Sequence, residues 1–155
     1  MRFELLFLGK TKEAYLASGI EDFFKRLSHY INVEIKTVKE GRVKKGEPDK
    51  LLIERESEIL LKNAQGAYLV CLDRNGRQMD SPALAKQIER WEMQGIKKIC
   101  FVIGGSLGLS AAILQKADLV LSFSPMTFTH DMSRLLLLEQ LYRACTIKAG
   151  EKYHK

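Results

Sequence analysis

With 155 residues, 46% hydrophobic and 28% charged, the chain has the size and mix of one folded domain. Disordered, collagen-like and disulfide-scaffold classes do not fit that composition. The 25 lysines and arginines against 19 acids leave a net charge of +6. This favours an anionic partner such as nucleic acid, although a solvated basic surface explains the excess as well.

Short apolar runs alternate with longer amphipathic ones, which predicts an α/β domain with a mostly parallel sheet flanked by helices. In chain order, the strands are expected at 3–8, 33–38, 67–72, 98–103 and 118–121. The helices are expected at 12–28, 48–63, 82–94, 110–116 and 130–148. The opening run, with Glu4 among apolar residues and no small-residue cleavage pattern, does not resemble a signal peptide. No stretch approaches the ~18 apolar residues of a membrane span. Residues 36–50 carry Lys36, Lys39, Arg42, Lys44, Lys45 and Lys50 against three acids, with Gly41 and Gly46 between them. Such a loop suits contact with phosphates, and an ordinary solvated loop is the plain alternative. Ser81-Pro82 is a helix start, with Ser81 as the expected cap, and Gly66 and Gly95 are expected helix stops.

Cys71, Cys100 and Cys145 lie far apart with no C-x-x-C spacing, so buried thiols in a reducing, cytoplasmic setting are expected. His29, His130 and His154 match no short-range zinc motif, and no metal is expected. On the last helix, Leu135, Leu137, Leu138, Leu141, Tyr142, Ala144 and Cys145 cover about half the circumference. Such a helix is buried on more than one side, inside the domain or between subunits, and Leu136 falls opposite with Glu139 and Arg143. Arg134 lies within the apolar arc and needs an anionic partner, either a structural carboxylate or a ligand.

Gly9-Lys10-Thr11 echoes a phosphate-binding P-loop, but Glu4 stands where its first glycine is required. Gly104-Gly105-Ser106-Leu107-Gly108 has serine in place of the second glycine of a dinucleotide fingerprint. Nucleotide-dependent dehydrogenases are therefore poor fits. Ligands of parallel sheets bind beyond the carboxyl ends of the strands. Three such ends stand out: Leu72-Asp73, the glycine loop, and Ser122 through His130. The last mixes apolar side chains with hydroxyls, which suits a heterocycle.

The runs Ile103-Gly104-Gly105, Gly108-Leu109, Leu121 through His130, Glu139-Gln140-Leu141-Tyr142-Arg143-Ala144 and Tyr153-His154-Lys155 together resemble the bacterial 23S rRNA pseudouridine N3-methyltransferases. These are the smallest SPOUT-class enzymes, and the resemblance spans the whole chain. It implies one domain over 1–155, a trefoil knot in the C-terminal half, a homodimer, and S-adenosylmethionine as methyl donor. It further implies methyl transfer to N3 of a pseudouridine in 23S rRNA within the ribosome. Leu72, Gly104, Phe123, Ser124, Pro125, Met126, Thr127 and Phe128 match its cofactor positions, and His130, Arg143, Tyr153 and His154 its polar positions near the transfer site. Ser106-Leu107 departs from the proline-containing glycine loop of some relatives. Each polar residue also has a plainer reading: His130 as a helix cap, Arg143 paired with Glu139, the tail in solvent. A methyltransferase of another RNA and a non-catalytic, ribosome-associated RNA-binding module remain the alternatives.

Overall fold

The computed structural model describes residues 1–154; Lys155, part of the expected tail motif, lies outside the described residues. All ten expected elements form: β1 (Arg2–Leu8), α1 (Ala14–Ser28), β2 (Asn32–Val38), α2 (Asp49–Asn63), β3 (Tyr68–Gln78), α3 (Ser81–Met93), β4 (Lys98–Ile103), α4 (Ala111–Lys116), β5 (Leu119–Ser122) and α5 (His130–Lys148). The strands make a single sheet in the order β2-β1-β4-β3-β5, and every neighbouring pair is parallel.

Alternation along the strands splits the apolar residues between two cores. Phe3, Leu5 and Phe7 of β1 face α1, α3 and α5, whose Leu27, Trp91 and Leu141 close that side. Leu6 and Leu8 face the other side, with Leu60 of α2 and Ile113 of α4. A sheet covered on both faces explains why its strands read as almost continuous apolar runs. Gly66 and Gly95 end α2 and α3 in the left-handed region at φ +72°, as their positions implied.

Two local expectations change, and one left open is decided. The third strand does not end at Leu72. It bulges after that residue and resumes pairing with Arg77 opposite Leu121 and Gln78 opposite Ser122. Asp73 Oδ1 accepts the Asn75 N–H at 2.9 Å inside the bulge. Gly76 passes so near β5 that a Cβ there would meet the Val120 carbonyl oxygen at 2.7 Å. The cap of α3 is Asp80, which accepts the Ala83 N–H at 2.7 Å, so Ser81 is the first helical residue. Finally, Leu137, Leu138 and Leu141 of α5 are buried within their own chain, against α1 and α3.

Arg134 finds a structural partner. It is 1% exposed, with Nη1 3.1 Å from Asp131 Oδ1 and donating to Thr11 Oγ1 at 3.1 Å. Nη2 donates to the Leu8 carbonyl, and the guanidinium lies 5.1 Å from the centroid of the Phe7 ring. Asp131 Oδ2 also accepts the Lys12 N–H at 2.9 Å. The cluster ties the start of α5 to the end of β1. Cys71, Cys100 and Cys145 are free and buried, and burial pushes the first two thiols up to about 12.

Candidate functional site

β3, β4 and β5 occupy consecutive places at one side of the sheet, so the three loops singled out above leave from neighbouring strand ends. Together with the first turn of α5 they enclose a cleft of about 700 Å³. Its walls include Leu72, Gly104, Phe123, Ser124, Met126, Thr127, Phe128 and His130. Pro125 belongs to the same loop but not to the wall. Arg74, from the bulge, joins them. The sequence reading missed it because it ended the strand early, although Asp73-Arg74-Asn75-Gly76 carries the composition of a turn.

Each loop is held by local chemistry. A Cβ on Gly104 would lie 2.6 Å from the Gly108 carbonyl oxygen, so glycine is required by the loop's own fold. Gly108 closes the turn at φ +85°, its N–H donating to the Gly105 carbonyl at 3.0 Å. Beneath the loop, the buried Ser57 of α2 accepts the Ser110 N–H at 2.9 Å. In the last loop, Ser122 Oγ is within hydrogen-bond distance of the carbonyls of Arg74 (3.0 Å) and Ser124 (3.1 Å), and Ser124 Oγ accepts the Met126 N–H at 3.0 Å. Thr129 caps α5 by accepting the Met132 N–H at 3.2 Å. His130 is therefore not the cap. It lines the cleft with Nε2 buried, unpartnered among the described residues and 3.3 Å from Asp131 Oδ1.

The other polar residues stand apart from the cleft. Arg143 donates through Nε to Glu139 Oε1 at 2.9 Å, and Tyr153 donates to the same oxygen at 3.2 Å. The guanidinium lies 4.6 Å from the Tyr153 ring centroid, and Tyr142 meets that ring edge-on at 4.8 Å. The Glu139 hydrogen bond raises the Arg143 pKa, and burial followed by the Glu139 charge raises that of Tyr153. Tyr153 is thus a neutral phenol and a hydrogen-bond donor near neutral pH. His154 is exposed. Arg143 lies 13 residues beyond His130 on one helix, or about 20 Å at ~1.5 Å per residue. Glu139, which organises this cluster, had entered the sequence reading only as a plain partner for Arg143.

A family model described as predicted SPOUT methyltransferase matches residues 1–154. The chain belongs to the SPOUT methyltransferase family. Among its relatives are ribosomal RNA large subunit methyltransferase H of Desulfotalea psychrophila, 54% identical over the full length of both chains, and that of Halothermothrix orenii, 46% identical over the same extent. The fold is similar to that of a probable methyltransferase from Bordetella pertussis, with a TM-score of 0.58 and 12% identity over 93% of this chain and 96% of the other. It is also similar to a tRNA (m1G37) methyltransferase from Aquifex aeolicus, with a TM-score of 0.53 and 14% identity over 92% and 69%. SPOUT methyltransferases draw the methyl group from S-adenosylmethionine. The cleft fits that molecule: about 700 Å³ is a usual volume for a small-molecule site, and its walls join apolar side chains to the backbone of the glycine loop. Among the described residues no helix is long and apolar enough to cross a membrane, and no group of His, Cys, Asp and Glu could hold a metal ion.

Proposed function

We propose that this chain methylates N3 of a pseudouridine in 23S rRNA, acting as a cytoplasmic homodimer on the ribosome. The observation that carries the substrate is the 54% identity, over full length, to a protein named for the large-subunit ribosomal RNA. The family also carries the expectation of a trefoil knot in the C-terminal half.

Leu72, Phe123 and Phe128 would hold the heterocycle of the methyl donor, and the backbone of Gly104 and of residues 124–127 would meet its polar groups. S-adenosylmethionine supplies an electrophilic methyl group on a sulfonium when bound. The chain must then hold N3 in line with that methyl, take up the N3 proton and balance the charge. His130 lines the cleft with its Nε2 3.3 Å from the Asp131 carboxylate, and its imidazole receives the proton. Arg143 and Tyr153 hold the nucleotide through a phosphate and a base edge, with His154 beside them.

A single chain places these two groups about 20 Å apart along α5. Antiparallel pairing of two α5 helices would set the Arg143 end of one protomer beside the His130 end of its partner. The face left for such pairing carries Met132, Leu136, Gln140 and Arg143, none of them buried in the chain. The test is mass mapping of rRNA from cells lacking the protein. A 23S pseudouridine should lose one methyl group and regain it on complementation. Unchanged 23S rRNA, with a methyl lost from a transfer RNA instead, would replace this substrate by the other.

A further inference from the structure

Residues 39–47, between β2 and α2, have a structure of their own that the cleft does not account for. β2 ends at Val38, so this segment leaves from the same edge of the sheet as the cleft loops. A hollow of about 510 Å³ lies where it departs, bordered by Lys10, Lys39, Glu40 and Gly41. The side chains of α2 hold its backbone. Arg55 Nη2 pairs with Glu47 at 2.7 Å and donates to the Arg42 carbonyl at 3.2 Å. The buried Glu56 accepts the Gly41 N–H at 3.0 Å. Glu56 also touches the cleft's glycine loop: a Cβ on Gly105 would lie 3.0 Å from its Oε2.

The consequence is a division of charge. Glu47 and Glu56 are used in shaping the segment, while Arg42, Lys44 and Lys45 are exposed. Among the described residues none of those three cations lies within ion-pairing distance of a carboxylate. The segment holds no aromatic, Asn or Gln side chain to read bases, and Val43 is its sole exposed large hydrophobic. Cations on a held backbone meet a polyanion with less ordering cost than cations on a loose loop. Glu40 at the hollow disfavours one phosphate buried there, which leaves a run of phosphates along the segment.

We propose that residues 39–47 form an arm that docks on the phosphate backbone of the RNA substrate, beside the base being methylated, through Arg42, Lys44 and Lys45. This rests on the RNA reading above and adds a surface to it. The contact is independent of base sequence and acts on substrate binding rather than on the transfer step.

The experiment compares two triple variants in the full-length protein. One carries Arg42→Gln, Lys44→Gln and Lys45→Gln. The other carries Lys62→Gln, Lys97→Gln and Lys116→Gln, three exposed lysines at the opposite edge of the sheet. Affinity for purified ribosomes is measured across salt concentrations, with S-adenosylmethionine affinity and the KM and kcat of methyl transfer. The arm variant should bind ribosomes about tenfold or more weakly. Its plot of log affinity against log salt should flatten by about two, given ~0.7–0.9 per phosphate contact. KM for ribosomes should rise with kcat and cofactor affinity kept, and the opposite-edge variant should behave as wild type. Equal losses in both variants would mean diffuse charge and overturn the arm, and so would unchanged affinity in the first. A loss seen only with anionic lipid vesicles would assign the segment to a membrane and overturn it too. Failure of the RNA reading shows separately, as absent methyl transfer by the wild-type protein.

Discussion

Glu56 has a carboxyl group placed where water barely reaches, and burial raises its pKa above the usual carboxylate range. The folded state therefore holds the proton more tightly than the unfolded chain. Stability from this group is greatest below the unfolded pKa and falls as pH rises through the folded one. Glu56→Gln keeps an acceptor for the Gly41 N–H while removing the charge. The variant should be as stable as wild type or more so at pH 7, and the difference should vanish below about pH 4, where both states of the wild type are protonated. Urea melts at the two pH values measure this; a variant less stable at pH 7 would mean that the charge itself holds the arm. Gly104 poses a different constraint. Because its Cβ would collide with the Gly108 carbonyl rather than with open space, even Gly104→Ala should displace the loop. S-adenosylmethionine affinity should fall about tenfold or more while circular dichroism stays native, as isothermal calorimetry would read.

At the scale of one helix, α5 separates the two settings its pattern left open, the core and a subunit interface. Leu138 is fully buried in the core that α5 shares with α1 and α3, so Leu138→Glu places a charge there and should unfold the chain. Leu136 is only half-buried and lies on the face with Met132 and Arg143. Leu136→Glu should leave the fold intact and convert dimer to monomer, as light scattering beside circular dichroism would show. The tail is bound to the same helix. Tyr153 packs on Tyr142 and Arg143, and Tyr30 donates to Glu151 at 2.6 Å. Deleting residues 153–155 removes the first contact and keeps the second. Melting should change little, by about 1 kcal/mol for the lost aromatic contacts. Methyl transfer to ribosomes should fall by ~100-fold or more, the lower range for a positioned polar group. Full activity would return the catalytic work to His130 and Arg143.

For the molecule as a whole, the decisive question is whether one site draws on two chains. A His130→Ala chain and a chain lacking residues 153–155 should each be inactive. Mixed and allowed to exchange, half of the dimers pair one with the other, and one of their two sites has both an intact cleft and an intact tail. About a quarter of wild-type activity should return, by the statistics of a two-fold dimer. No recovery would place cleft and tail within one chain. The sequence by itself determined the ten elements, because apolar period, capping residues and helix-ending glycines are local properties that the chain carries wherever it goes. It also marked the three strand-end loops, since Gly104 and the 122–130 run are unusual in composition. What only the tertiary structure decided is which ends meet. The order β2-β1-β4-β3-β5 puts three loops around one cleft and the basic arm along the same edge. The partner of Arg134, the bulge that brings Arg74 to the cleft, and the role of Glu139 as the shared acceptor of Arg143 and Tyr153 likewise wait on the fold. The bulge and the Tyr153 contact join residues on different elements, which periodicity does not encode. Asp131 does stand three residues before Arg134 on one helix, but that spacing alone does not choose it over a ligand.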